Sequence, residues 1–206
     1  MYVCVCVFVA TLFLLQKGNI GSQDVSDCMA ALDMVLAFLE AQDGKSEKRR
    51  KVAVFGGSHG GFLGAHMIGQ HGDRFECAIL RNPVVNLGSM VYTTDIPDWC
   101  FIETFGCAIG KRRCRWDPRP EDVQAMYDKS PIKHIDTYSK PTLFLIGERD
   151  KRVPMSNPLQ FISALSARGV VTRTFRFPHD CHPLHNPQTE YTCVIEAMEW
   201  IRRYCA

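Results

Sequence analysis

Three short segments of this chain carry residues whose types and order suit nucleophilic chemistry. Gly56-Gly57-Ser58-His59-Gly60-Gly61 contains G-x-S-x-G, the pattern that holds a serine on a sharp strand-to-helix turn. Such a turn brings backbone segments close together, and glycine at Gly56 and Gly60 removes Cβ atoms that would collide. The Ser58 hydroxyl is thereby aimed off the top of a sheet. The backbone N–H of His59 starts the next helix, where position and dipole suit a developing oxyanion. A serine hydroxyl is a weak nucleophile until a base takes its proton. Gly147-Glu148-Arg149-Asp150 and Pro178-His179-Asp180-Cys181-His182 follow further along. Where this elbow does chemistry the chain order is serine, acid, histidine, and that order is present.

Seven histidines compete for the role of base. His59 is locked beside the serine and contributes its backbone. His66 and His71 fall on or just after the following helix and read as surface residues. His134 belongs to a loop. His179, His182 and His185 share the loop a base must occupy, and His182 is the favoured one. For the acid, Asp150 is preferred to Glu148, and Asp180 is too near His182 in sequence to bridge across a pocket. Asp150 would orient the imidazole and stabilise the imidazolium formed during proton transfer. A glycine-rich turn or a turn aspartate explains either segment alone; neither explains three strand ends coinciding. His179, Cys181, His182 and His185 have ligand types that suit zinc, but not the spacing of a standard structural site. The chemistry of a serine, a histidine and an aspartate needs no metal or organic cofactor.

Alternating elements must position these residues. Val25, Cys28, Met29, Leu32, Val35, Leu36 and Leu39 recur at helical spacing, which predicts a helix over 22–42 with Asp24 and Asp27 in its first turn and Gly44 as its stop. Residues 52–55, 77–80, 142–146 and 172–177 read as strands. Helices are expected over 62–69 and 121–129, and from Pro154 to about Ala167. Tyr191, Val194, Ile195, Met198, Ile201 and Cys205 stripe a final helix, and 83–120 is loop-rich with only short helices. Strands separated by helices predict an α/β fold, a mainly parallel sheet with helices on both faces. Such sheets place their sites beyond the carboxyl ends of the strands. The strand end at Arg81 and the loop 86–105, with Trp99 and Phe101, are candidate substrate-pocket contacts. An aromatic core under a long loop explains Trp99 and Phe101 equally well.

The composition narrows the class. With 206 residues and 46% hydrophobic content the chain can bury one ordinary core. Twenty-four basic against 22 acidic side chains, a net charge of +2, make no case for nucleic acid as a partner. No apolar run reaches the roughly 18 residues a spanning helix needs, so stable membrane association is not expected. Ten cysteines without a C-x-x-C pair, several in apolar periodic segments, read as small hydrophobes in a reducing compartment, the cytoplasm. Residues 1–15 carry no charge. Their β-branched content suits a buried strand better than a signal peptide, which needs a basic start and a cleavage site, or an anchor, which needs more length. Residues 1–17 are therefore set apart from 18–206.

The motifs resemble those of the prolyl oligopeptidase family of serine peptidases. Gly56-Gly57-Ser58-His59-Gly60-Gly61-Phe62 is similar to its elbow, and Gly147-Glu148-Arg149-Asp150-Lys151-Arg152-Val153-Pro154 to its G-x-x-D-x-R-V-P acid loop. Within the family, the acylaminoacyl-peptidase branch is resembled in four more segments. They are Gly18-Asn19-Ile20-Gly21-Ser22-Gln23-Asp24-Val25, Arg81-Asn82-Pro83-Val84-Val85-Asn86, Thr94-Asp95-Ile96-Pro97-Asp98-Trp99 and Asp128-Lys129-Ser130-Pro131-Ile132. The resemblance runs from about Gly18 to the C-terminus. It implies an α/β-hydrolase fold, with Ser58 as nucleophile, Asp150 as acid and His182 as base. It further implies release of an N-acylated, typically acetylated, residue from a short peptide, and a homo-oligomer. Family members carry a β-propeller, the first sheet strands and an H-G-G-P loop ahead of this region. The expectation is thus a catalytic domain lacking its first strands. A shortened interaction or regulatory module that binds acyl-peptides without turnover, and a lipase or carboxylesterase using the same elbow, are the competing readings.

Overall fold

The computed structural model describes residues 2–6, 18–43, 49–106 and 117–206. Among the described residues five strands pair in chain order and all in parallel: β1 (Tyr2–Cys6), β2 (Lys51–Gly57), β3 (Cys77–Arg81), β4 (Thr142–Gly147) and β5 (Thr172–Phe177). The register sets Val54 beside Ala78, Ile79 beside Leu143 and Leu143 beside Arg173. Parallel neighbours cannot be joined by tight hairpins, so each connection crosses over outside the sheet. The helices are α1 (Gln23–Asp43), α2 (His59–His71), α3 (Leu87–Met90), α4 (Pro97–Phe105), α5 (Pro120–Asp128), α6 (Ser156–Ala167) and α7 (Pro187–Cys205).

Side chains alternate across the sheet, as a two-residue period requires. Val52, Val54, Ala78, Leu80, Phe144 and Ile146 join one core with Phe62 and Ile68 of α2 and Phe161 and Leu165 of α6. Ala53, Ile79, Leu143 and Leu145 form a second core with Cys193, Ala197 and Trp200 of α7. Because α2 lies under other layers, its residues Gly60 to Gly69 are all buried, which suits a helix that is apolar all round. On β5, a less buried strand, the charges are paired: Arg173 with Glu196 at 3.2 Å and Arg176 with Glu148 at 2.8 Å.

Several elements differ from the sequence reading. Pro154 lies before α6, which starts at Ser156. Val35 is exposed on α1, while Val25, Met29 and Leu32 are buried. The largest difference is in α7. Of the expected stripe Tyr191, Val194, Ile195 and Met198 face outward while Ile201 and Cys205 pack on the sheet, and the buried face is completed by Cys193, Ala197 and Trp200. Both stripes satisfy helical spacing. The sheet takes the one whose small residues allow close approach and whose indole fills the remaining space. Gly44, most of residues 1–15 and residues 107–116 fall outside the described residues. Among the described residues no helix is long and apolar enough to cross a membrane.

Candidate active site

The elbow is built by close backbone contact. Between β2 and α2, Ser58 adopts φ 56° and ψ −120°, a conformation costing a non-glycine residue about 1–3 kcal/mol. Hydrogen bonds hold it there: Ser58 N donates to the Arg81 carbonyl at 2.9 Å, and Phe62 N donates to the Ser58 carbonyl at 3.0 Å. A Cβ on Gly56 would lie 2.1 Å from the Gly60 carbonyl oxygen, so the turn closes only with glycine at that position. The N–H of His59 opens α2 and, as a first-turn donor, has no partner within the helix.

Asp150 follows β4 and is buried. Its Oδ1 accepts from the backbone N–H groups of Arg152 at 2.8 Å and Val153 at 2.9 Å. Its Oδ2 lies 2.6 Å from Nδ1 of His182. His182 sits on the loop after β5, and its Nε2 lies 2.8 Å from Oγ of Ser58. A carboxylate can only accept, so Nδ1 carries the ring proton and Nε2 is left with a lone pair toward the serine hydroxyl. Asp180 turns the other way: it accepts from Asn186 N and the Thr189 hydroxyl, tying the loop to the start of α7. Glu148 is spent on Arg176.

The other histidines are occupied elsewhere. Nδ1 of His179 accepts from Arg149 at 3.3 Å, and His185 is exposed. Among the described residues no group of three or more His, Cys, Asp or Glu side chains is placed to hold a metal ion. His66, expected on the surface, is 1% exposed. It bonds the Lys129 carbonyl through Nε2 and Gln70 through Nδ1. Burial pushes its pKa from the ordinary 6.5 down to about 4. Since the unfolded chain binds this proton more readily, stability should fall as pH drops through 6.5 toward 4. His66→Phe should remove about 2 kcal/mol of the stability difference between pH 7 and pH 5. Denaturant unfolding at the two pH values checks this, and equal differences in parent and variant would refute it.

The pocket candidates separate. Trp99 is half-buried and meets the His59 ring edge-on at 5.9 Å, beside the serine. Phe101 is a core residue, 5% exposed. Arg81 Nη2 donates to the Leu184 carbonyl at 3.0 Å, which places it under the His182 loop. Sequence reasoning also left out residues near the site, Asp24 among them. Asp24, read as a first-turn acid of α1, is 1% exposed, and its Oδ2 lies 3.6 Å from Nε2 of His59. The contact arises because α1 packs on α2, which no local spacing announces.

Comparison with known proteins gives the family and the fold. The model of the prolyl oligopeptidase family matches residues 14–206. An acylamino-acid-releasing enzyme of Arabidopsis thaliana is 45% identical over 188 residues, 91% of this chain and 23% of that protein. The Homo sapiens enzyme of the same name is 37% identical over 189 residues, 91% of this chain and 24% of that protein. The chain thus spans about a quarter of the length of these relatives. The solved structure of Pyrococcus horikoshii acylaminoacyl peptidase shares the fold. Its TM-score is 0.78 at 21% identity, over 93% of this chain and 29% of that one. A catalytic-type elbow on a parallel sheet, together with a family match over nearly the whole length, leads to one assignment: this chain belongs to the prolyl oligopeptidase family of serine peptidases.

Proposed function

We propose that residues 18–206 form a catalytic unit that hydrolyses the bond after an N-terminal acylated residue of a short peptide. The observation that carries this reading is the hydrogen-bonded line from Ser58 through His182 to Asp150. His182 takes the Ser58 proton at Nε2 as Oγ attacks the scissile carbonyl. The His59 N–H stabilises the oxyanion, and Asp150 stabilises the imidazolium. The imidazolium then protonates the leaving amine. The acyl group remains on Oγ until a water, deprotonated by His182, releases it. Trp99, against His59, is the pocket wall that meets the acylated residue. The acyl-peptide specificity is supported by the similarity to acylamino-acid-releasing enzymes. A cytoplasmic location is part of this reading, supported by the free thiols of Cys28, Cys181, Cys193 and Cys205.

Covalent labelling by a fluorophosphonate, followed by hydrolysis of an N-acetylated dipeptide, tests the reading. Labelling that disappears in Ser58→Ala is the expected result. No labelling of the folded chain would overturn it, and labelling with ester but no peptide hydrolysis would overturn the substrate.

A further inference from the structure

Asn82 bonds to both loops of this site through its side chain. It follows β3 at φ 42°, in the left-handed region that asparagine tolerates better than most residues, and is 1% exposed. Both ends of its side-chain amide are used. Oδ1 accepts from the backbone N–H of Gly147 at 2.9 Å, where β4 ends and the Asp150 loop begins. Nδ2 donates to the carbonyl of His182 itself at 2.9 Å, with the Cys181 carbonyl at 3.5 Å. The two segments are already in close approach. A Cβ on Gly147 would lie 2.7 Å from the Cys181 carbonyl oxygen and 2.9 Å from that of Asp180. Arg149 N adds a direct bond to the Asp180 carbonyl at 2.9 Å. Asn82 is the side chain here that holds the backbone of the histidine, one residue past the strand that pairs with both β2 and β4.

We propose that Asn82 is a positioning residue for the reaction: its amide sets the backbone of His182 relative to Asp150 and so the reach of Nε2 to Ser58. This rests on the role assigned to His182 above. A hydroxyl-to-imidazole proton transfer tolerates little displacement, and a shift of about 1 Å can cost about 10²-fold in rate. Asn82 touches no reacting atom and acts only through the loop.

Two substitutions separate the side chain from the backbone. Asn82→Asp keeps the shape, the backbone tolerance and the acceptor for Gly147, but turns an oxygen toward the His182 and Cys181 carbonyls. Asn82→Gly relieves the backbone and deletes both bonds. Each should lower kcat on an N-acetylated dipeptide by about 10²-fold, with KM changed less than about threefold, and slow fluorophosphonate labelling in step. Asn157→Asp is the matched control. Asn157 is likewise buried and clamps Val85 and Asn86 through its amide, without a bond to the His182 loop. It should lower Tm without lowering kcat. An Asn82→Gly enzyme with parental kcat would overturn the proposal. So would a loss of kcat in Asn157→Asp as large as in the Asn82 variants, which would make the effect one of general stability. Failure of both Asn82 variants to fold would make the residue a determinant of folding instead, and would also overturn it. Labelling that survives Ser58→Ala would instead refute the underlying role of the serine, whatever the Asn82 variants do.

Discussion

Ser58→Ala and His182→Ala should each lower kcat on an N-acetylated dipeptide by roughly 10⁶-fold, and the double variant should be no slower than either. Nε2 lies 2.8 Å from Oγ, so in the proposed mechanism the two atoms share one step, and losing either loses the same step. A loss of that size is about 8 kcal/mol of transition-state stabilisation. The fold should be spared. Ser58 is held by backbone bonds to Arg81 and Phe62 that alanine keeps, and the His182 side chain is partly exposed. Single-turnover rates and Tm values for the three variants check both halves. Additive losses in the double variant would mean that the two residues act separately, and would refute the shared step.

Asp150→Asn should lower kcat by about 10⁴-fold with little change in Tm. The direction follows from which oxygen is held by what. Oδ1 receives the N–H groups of Arg152 and Val153, so the amide oxygen of asparagine must occupy that position. The NH₂ then falls where Oδ2 was, facing Nδ1 of His182. A donor there forces Nδ1 to accept and moves the ring proton to Nε2, where it points at the serine. The base is then present but in the wrong tautomer. A variant within tenfold of the parent would show that Asp150 does not orient the ring.

The elbow and the acid loop were legible because each is short and contiguous. A glycine at 56 that meets the carbonyl of residue 60, and an aspartate whose carboxylate is filled by its own next neighbours, are local constraints. Local constraints leave fixed spacings. The alternation of strands and helices was legible for the same reason, since a period of two or 3.6 residues is written along the chain. The outward stripe of α7 was misread because Tyr191, Val194 and Met198 share helical spacing with Cys193, Ala197 and Trp200 closely enough for either set to be buried. Choosing between them depends on the surface opposite.

By itself the sequence determined the alternation of strands and helices, the parallel sheet, the family, and the serine, aspartate and histidine worth testing. Only the tertiary structure decided that Nε2 of His182 stands within hydrogen-bond reach of Ser58 Oγ and that His66 is buried. It also decided that Arg81 supports a loop, that Asp24 lies against His59, and that Asn82 ties Gly147 to His182. Each of these joins residues far apart in the chain whose types are ordinary where they stand. Their meaning comes from distance in space, which is set when packing against a common sheet brings separate strand ends together, and no spacing within one segment records it.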